Sequence, residues 1–382
     1  MQKMLPNLAI YIHWPFCKSK CPYCDFNSHV RDKIDANSWQ EAYLKEIDYF
    51  KPNIQGRTIS SIFFGGGTPS LMEALLVARI IEKLSLIGRF DKNIEITLEA
   101  NPTSIEAKKF KDFREAGVNR ISVGIQSLDP DALKFLGRNH SVPQSIKAIE
   151  TARDIFANYS FDLIYARPDQ SLKEWENELS QALKLADKHI SLYQLTIEKG
   201  TAFYSDYKNK KFLMPNEVLS ASLYELTNDI TSSVGLESYE ISNYAKPGFE
   251  SKHNLSYWNY DNYLGIGPGA HSRIDKQAIM MIHNPENWLD KISKESNGIQ
   301  SRIDLSEREV FEEFVLMGLR TKYGINKMNF KKLMGQSLDN YIAPARIVTL
   351  KKEDLLSENE TSVSATKKGS QVLNKVIEYL TL

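Results

Sequence analysis

Six short apolar segments, each followed by a longer polar or amphipathic stretch, limit the folds that this chain can adopt. The apolar segments are residues 8–12, 59–64, 94–98, 120–125, 159–164 and 190–195. The amphipathic stretches between them are residues 38–50, 71–86, 104–116, 142–156 and 172–186. Nearly continuous apolar runs are typical of parallel strands that are covered on both faces. Repeated βα units therefore predict an α/β fold, either a parallel barrel, whole or partial, or an open doubly wound sheet.

The chain changes character after the sixth repeat. Residues 201–273 are rich in aromatic residues and glycine and break the βα rhythm, so we expect them to cover the barrel mouth. Residues 306–323 predict a helix, and residues 352–380 predict a strand, a turn, a second strand and a helix capped by Thr366. We expect a barrel core in residues 1–235, a mouth region with a linker in residues 236–300, and a small winged-helix-like domain in residues 301–382.

The charge balance and the absence of long apolar runs restrict the partners and the location. Lys and Arg total 48 and Asp and Glu also total 48, so no net field attracts the chain to nucleic acid or anionic lipid. No stretch has the apolar length of a bilayer span, and residues 1–12 do not resemble a cleaved signal. We therefore expect a cytoplasmic protein without a nucleic-acid partner.

All three cysteines of the chain, Cys17, Cys21 and Cys24, lie in one loop directly after the first predicted strand. An odd number of cysteines spaced this closely does not form a disulfide framework. Thiolates bind both iron–sulfur clusters and zinc, and three thiolates on a four-iron cluster leave one iron open to another ligand. The alternative is a zinc site that His13 or His29 completes.

A glycine run ends the second predicted strand. Gly65, Gly66 and Gly67 are followed by Thr68 and Pro69. Successive glycines let a ligand approach the backbone closely and contact its N–H and C=O groups, although a tight turn without a ligand has the same pattern. If a ligand binds here, we expect a Cβ at Gly66 to occupy the space where the ligand meets the backbone.

Polar residues also stand at or near the ends of the next three predicted strands. Glu99 ends the third strand, Gln126 ends the fourth, and Asp162 lies within the fifth. Active sites of parallel barrels are built from residues at the carboxyl ends of several strands. Each of these residues could also be a turn or capping residue, but together they predict one functional face.

A further motif, His253-Asn254-Leu255-Ser256-Tyr257-Trp258, lies late in the chain and precedes a glycine-rich segment that ends at His271. Histidines beside aromatic residues and glycines could bind a flat apolar ligand with a coordinated metal, such as haem, through an axial imidazole. The alternative is a histidine that is satisfied by hydrogen bonds within the protein.

Taken together, these motifs resemble the HemW family, the haem chaperones related to oxygen-independent coproporphyrinogen III oxidase in the radical S-adenosylmethionine (SAM) superfamily. The segments that carry the resemblance are residues 11–26, 64–70, 119–127, 162–165 and 253–258. The resemblance implies a radical SAM partial (β/α)6 TIM-type barrel with a C-terminal α+β winged-helix-like domain. It also implies a [4Fe–4S] cluster on Cys17, Cys21 and Cys24, SAM on the open iron, and haem.

The resemblance implies further roles at matching positions. Tyr11, Gly66 and Glu99 match contacts to the cluster-bound SAM, and Tyr23 matches a backbone contact to it. The positions that match contacts to a second SAM in the oxidase are Gly67, Thr68, Gln126, Arg138 and Asp162. His253 belongs to the H-N-x-x-Y-W element associated with the haem-binding members.

Several departures from the oxidase pattern favour the chaperone. Phe26 stands where the oxidase has another cysteine, and Cys17 lies close to the first residue, where the oxidase carries a longer extension. The family pattern D-L-I-Y-G-L-P-G-Q has Ala166 and Asp169 here at its two glycines and Arg167 at its second leucine, which weakens the match at the second SAM region.

The sequence thus predicts a haem chaperone. The alternatives are a coproporphyrinogen III oxidase and a radical SAM methylase or maturase that acts on a macromolecule. The expected partners are haem and a haem-acceptor protein that the sequence does not identify. The expectation includes no membrane span and leaves open a peripheral association with membrane haem proteins.

Overall fold

The computed structural model describes residues 5–382, apart from the side chains of residues 104 and 105. Within these residues the strands are β1 (Leu8–Trp14), β2 (Phe16–Cys17), β3 (His29–Val30), β4 (Thr58–Gly66), β5 (Arg89–Ala100), β6 (Arg120–Gln126), β7 (Asn158–Tyr165), β8 (His189–Gln194), β9 (Glu237–Ser238), β10 (Asn243–Ala245), β11 (Asn262–Ile266), β12 (His271–Ile274), β13 (Gln277–Met281), β14 (Ile299–Asp304), β15 (Ile325–Asn326), β16 (Leu356–Glu358) and β17 (Ser362–Ala365).

The helices in the same part of the chain are α1 (Ala36–Tyr49), α2 (Lys51–Ile54), α3 (Ala74–Ile87), α4 (Ser104–Lys108), α5 (Phe110–Glu115), α6 (Pro130–Phe135), α7 (Val142–Ile155), α8 (Leu172–Leu183), α9 (Ala202–Lys208), α10 (Glu217–Ser233), α11 (Lys252–Trp258), α12 (Pro285–Glu295), α13 (Glu307–Gly318), α14 (Lys327–Met334), α15 (Pro344–Lys352), α16 (Lys367–Gln371) and α17 (Leu373–Thr381). Among residues 5–382, no helix combines the length and the apolar character that crossing a membrane requires.

Seven consecutive parallel strands, from β11 through β1 to β8, form the centre of a twelve-stranded sheet, whose order is β14-β13-β12-β11-β1-β4-β5-β6-β7-β8-β10-β9. The strands β1, β4, β5, β6, β7 and β8 pair successively in parallel, and they are the six strands that the sequence predicts. Their spatial order follows the chain without the reversal of a doubly wound sheet. The fold is therefore a partial (β/α)6 barrel, extended by further strands at both edges.

The helices between the parallel strands lie close to their predicted positions, and α1, α4, α7 and α8 begin with side-chain caps. Ser141 and Gln144 form a capping box at the start of α7. The predicted helix over residues 104–116 is divided at Lys109 into α4 and α5. Its first residue is Ser104, as predicted, and its N-cap is Thr103, whose side chain accepts a hydrogen bond from the Glu106 amide.

A second hydrophobic core lies in the C-terminal part of the chain. It contains apolar residues from Val310 to Leu380, whereas the barrel core extends from Leu8 to Ile292. The order in this part is α15, β16, β17 and α16, and Thr366 caps α16 by accepting from the Gly369 amide. The predicted strand, turn, strand and capped helix are therefore confirmed. Strands β11–β14 were not predicted, and they extend the barrel sheet beside β1.

Candidate functional site

A cavity of about 1540 Å³ lies at the carboxyl ends of the parallel strands. Eleven of the predicted site residues line this cavity: Cys17, Cys21, Tyr23, Cys24, Gly66, Gly67, Thr68, Glu99, Gln126, Arg138 and Asp162. The opposite wall comes partly from the C-terminal core, through Arg320 and residues 370–375. The sequence therefore predicts the barrel side of the cavity correctly, whereas its C-terminal wall was not predicted.

The cysteine loop is closed by local pairing and anchored by a distant part of the chain. Strands β2 and β3 pair in parallel on either side of the loop. The side chain of Asn27 donates hydrogen bonds to the carbonyl oxygens of Pro268 and His283, at 3.0 and 2.9 Å. The backbone amide of Phe203 donates to the Pro22 carbonyl at 2.9 Å. Three separate segments thus fix the shape of the loop.

The surroundings of the sulfur atoms fit thiolate ligands. The hydroxyl of Thr68 donates to Sγ of Cys17 at 3.4 Å, and Nη1 of Arg138 donates to Sγ of Cys21 at 3.1 Å. Hydrogen-bond donors directed at sulfur stabilise the negative charge that a ligating thiolate carries. In residues 5–382, no three His, Cys, Asp or Glu side chains converge on the position of a single ion. A [4Fe–4S] cluster does not require such convergence, because each thiolate binds a different iron.

Both histidines of the alternative zinc site have hydrogen-bond partners in the structure. Nδ1 of His13 lies 3.0 Å from the Tyr11 hydroxyl, and its Nε2 lies 2.9 Å from the Asn27 carbonyl oxygen. Nε2 of His29 lies 2.9 Å from Oδ1 of Asn27. These contacts give both rings a role in supporting the cysteine loop.

The glycine run forms a close turn beneath the cavity. Gly66 has φ +111°, a conformation that favours glycine, and a Cβ built on it would lie 2.6 Å from Cε1 of His13. A Cβ on Gly67 would lie 2.7 Å from the Phe16 carbonyl oxygen. The expectation that a Cβ at Gly66 would occupy ligand space is therefore wrong, because such an atom would meet the His13 ring instead.

Two carboxyl groups and one amide side chain complete the barrel side of the cavity. Burial raises the pKa of Glu99 to about 8, and the nearby charge of Asp162 adds to the effect. Burial likewise raises the pKa of Asp162 to about 6, against the opposing effect of a hydrogen bond from Ser191. Gln126 has φ +70°, which is unusual for a residue other than glycine. The strand ends thus hold poorly solvated carboxyls beside a strained backbone.

Ala166 and Asp169, at the two glycine positions of the family pattern, have a left-handed backbone conformation that favours glycine. Their φ angles are +55° and +59°. Arg167, between them, is buried, and its Nη2 lies 2.6 Å from Oε2 of Glu178. This ion pair lies outside the cavity wall. The added charges of Arg167 and Asp169 therefore lie outside the cavity wall.

The predicted haem ligand, His253, lies inside the barrel rather than on the cavity wall. Its Nδ1 is 3.0 Å from the Ser61 hydroxyl and its Nε2 is 2.8 Å from the Tyr257 hydroxyl. Burial lowers the pKa of His253 to about 3. To ligate a haem iron, this imidazole would have to give up one of its two hydrogen bonds.

Tyr11, the other predicted residue away from the cavity wall, belongs to the same interior cluster. Its ring stacks on His253 and on Phe63, with centroid distances of 6.2 and 6.3 Å. Because α11 contacts the interior of the barrel through His253 and Ser61, this part of residues 201–273 does not cover the mouth. Residues 217–224 of α10, by contrast, do line the cavity.

Two asparagines in the site were not predicted. Asn27 anchors the cysteine loop, and Asn101 contacts both Thr68 and Arg138, at 3.1 and 2.7 Å. Asn101 follows the predicted strand that ends at Glu99, so its position at a strand end was the available signal. Nothing in the local sequence distinguishes Asn27, because its partners are more than 240 residues away.

Comparison with known proteins gives matches over nearly the whole chain. The Radical SAM superfamily model matches residues 11–182, and the HemN C-terminal domain model matches residues 305–372. A protein of Haemophilus influenzae named heme chaperone HemW is 36% identical over 98% of both chains. The Dictyostelium discoideum protein named radical S-adenosyl methionine domain-containing protein 1, mitochondrial, is 37% identical over 98% of this chain and 94% of its own length.

Among solved structures, coproporphyrinogen III oxidase (HemN) from Escherichia coli superposes with a TM-score of 0.83. The alignment covers 98% of this chain and 90% of the oxidase, and the sequences are 20% identical. At this identity the similarity establishes a common fold.

Proposed function

Since the chain belongs to the HemW family of the radical SAM superfamily, we propose that it is a haem chaperone that binds a [4Fe–4S] cluster, SAM and haem and delivers haem to an acceptor protein. The observation that carries this proposal is the similarity to proteins named haem chaperone, which extends from the cysteine loop through the C-terminal core. The proposal places the protein in the cytoplasm, where thiols remain reduced.

In the proposed site, Cys17, Cys21 and Cys24 hold the cluster. When bound, such a cluster would supply an open iron for the amino and carboxylate groups of SAM. Glu99 and the backbone at Gly66 lie at the neighbouring strand ends, where they could orient the bound SAM. The donors from Thr68 and Arg138 offset the negative charge that the thiolates bring into the cavity.

The size and the lining of the cavity also fit haem. Its volume of about 1540 Å³ exceeds the roughly 300–1,000 Å³ of a site for one small molecule. Tyr193 and Tyr224 offer aromatic surface, and Arg320 and Lys375 offer cationic groups on the C-terminal side. A flat macrocycle with two propionates matches this combination of apolar and cationic groups.

The proposed iron ligand is His253, on the strength of its H-N-x-x-Y-W element; since its ring lies off the cavity wall, it would have to leave its bond to Ser61 or to Tyr257 and move toward the cavity to reach the metal. The test compares His253→Ala with the matched control His189→Ala, since His189 is also buried and bonds a tyrosine hydroxyl, that of Tyr239. We expect the first variant to shift the haem Soret band or lower haem occupancy, and the second to leave both unchanged. An unchanged spectrum in His253→Ala would transfer the ligand role to His13 or His271.

Anaerobic reconstitution with iron and sulfide tests the cluster. We expect about four irons per chain, as this cluster type requires, and a loss of iron and sulfide in Cys21→Ala without a change in far-ultraviolet circular dichroism. Stoichiometric zinc without sulfide would contradict the assignment.

The chaperone is separated from an oxidase by a turnover assay. The oxidase pattern has a further cysteine at the position of Phe26, which is 60% exposed here. We expect the reconstituted wild type to bind haem and to form no protoporphyrinogen IX from coproporphyrinogen III with SAM under reducing conditions. Turnover at the rate of a true oxidase would refute the proposal.

A further inference from the structure

Arg138 contacts the cysteine loop from across the cavity. It follows α6, and its Nη1 donates a hydrogen bond to Sγ of Cys21 at 3.1 Å. The sequence resemblance assigns Arg138 to a second SAM. In the structure, its guanidinium instead contacts one of the three sulfur atoms.

Two further hydrogen bonds hold the guanidinium in this position. Nη2 donates to Oδ1 of Asn101 at 2.7 Å and to the carbonyl oxygen of Gly124 at 3.0 Å. Gly124 belongs to β6, and Asn101 directly follows β5. Because a guanidinium presents its donors in a rigid planar fork, fixing Nη2 to two neighbouring strands also fixes the direction of Nη1.

A cation fixed on one cysteine sulfur affects a cluster bound there in a defined direction. An arginine side chain remains positively charged at any pH at which the protein is folded. Its N–H···S bond withdraws electron density from the thiolate, and its charge favours whichever state of the cluster carries more negative charge. Hydrogen bonds to the sulfurs and net charge are among the factors that set the reduction potentials of iron–sulfur clusters.

We infer that Arg138 is a positioning residue that holds Cys21 and raises the reduction potential of the cluster. The inference rests on the proposed cluster at Cys17, Cys21 and Cys24 and adds to it a control of the potential. It assigns Arg138 a function that does not depend on whether a second SAM binds.

The test is a redox titration of the anaerobically reconstituted full-length protein, followed by the electron paramagnetic resonance signal of the reduced cluster. In Arg138→Gln we expect the ratio of reduced to oxidised cluster at a fixed potential to fall about tenfold, which corresponds to about 59 mV for a one-electron couple. Arg138→Lys keeps the charge but loses the fork, so we expect a smaller fall in the same direction.

Lys20→Met is the matched control. Lys20 is adjacent to Cys21 and carries the same charge, but its side chain is exposed, and the structure shows no hydrogen bond from it to sulfur within residues 5–382. In Lys20→Met we expect the ratio of reduced to oxidised cluster at a fixed potential to stay within about twofold of wild type, because water screens an exposed charge.

Fully loaded Arg138→Gln with a wild-type potential would overturn the inference, and so would an equal fall in Lys20→Met. If Arg138→Gln does not retain the cluster, Asn101→Leu replaces it, since this change removes one of the two acceptors that hold Nη2 and leaves the charge. We then expect a smaller fall of the same sign, and an unchanged potential would again overturn the inference. Absence of iron and sulfide from the wild type would instead refute the proposed cluster.

Discussion

The backbone N–H of Gly66 donates a hydrogen bond to Oε2 of Glu99 at 3.3 Å, so a carboxyl at the end of β5 accepts from the glycine run that ends β4. The same oxygen lies 3.2 Å from the position that a Cβ on Gly65 would take. Glu99 is thus held against the glycine backbone while it lines the cavity. This arrangement makes its protonation state part of the stability of the metal-free protein.

The pH dependence of stability should report on Glu99. Its pKa is about 8 in the folded protein and 4.5 in its ordinary range, because burial disfavours the charged form. Between these values the folded state keeps a proton that the unfolded state has lost, so this group's contribution to stability decreases as pH rises. We expect Glu99→Gln to gain stability relative to wild type by up to about 1.4 kcal/mol per pH unit between pH 5 and 8.

Urea unfolding of the metal-free proteins at several pH values measures this difference. Asp162→Asn is the comparison, because the pKa of Asp162 in the folded protein is about 6. The stability that Asp162→Asn gains relative to wild type should therefore stop increasing near pH 6. A difference between Glu99→Gln and wild type that stays constant from pH 5 to 8 would contradict the prediction.

Replacing His253 should destabilise the protein even in the absence of haem. His253→Ala removes a buried ring and leaves the hydroxyls of Ser61 and Tyr257 without their shared partner. We expect the free energy of unfolding to fall by about 3 kcal/mol. Tyr257→Phe removes only one hydrogen bond and should cost about 1–2 kcal/mol. Urea unfolding at pH 7 gives both values, and equal stability of wild type and His253→Ala would show that the imidazole is not a structural element.

Restoring glycine at position 166 should stabilise the protein. Ala166 has φ +55°, where a side chain is strained and glycine is not. We expect Ala166→Gly to raise the free energy of unfolding by about 0.5–1 kcal/mol. The control is Ala221→Gly within α10, which should lower it by about 0.5–1 kcal/mol because glycine is flexible in a helix. Thermal unfolding measures both variants. If Ala166→Gly and Ala221→Gly change the stability in the same direction, the backbone conformation at residue 166 is not the cause.

The buried pair of Arg167, in the loop before α8, and Glu178 of α8 should contribute far more to stability than an exposed pair within α8. Arg167→Leu leaves the Glu178 carboxylate buried without its cation, so we expect a loss of about 3–5 kcal/mol. Lys173 and Glu176 form an exposed pair at 2.9 Å, and Lys173→Leu should change stability by less than about 1 kcal/mol. Chemical unfolding measures both variants. If Arg167→Leu and Lys173→Leu lose similar amounts of stability, burial does not determine the effect of removing the cation.

The sequence alone predicts the parallel core and the barrel side of the cavity because both depend on local patterns. The apolar runs mark the strands, and the cysteine spacing and the glycine run mark the loops at their ends. The position of β11 beside β1 could not be predicted in this way, because periodicity identifies a buried face but not its partner. For the same reason, the motif around His253 did not reveal that its ring would bond Ser61 inside the barrel.

The bonds from Asn27 to Pro268 and His283 also constrain the order in which the protein can mature. The carbonyl groups that hold the cysteine loop are synthesised 241 and 256 residues after Asn27. During translation the three thiols therefore leave the ribosome long before their loop can take its final shape. Insertion of the proposed cluster into the finished loop would therefore have to wait for these later residues, and until then the nascent chain carries three thiols without their final surroundings.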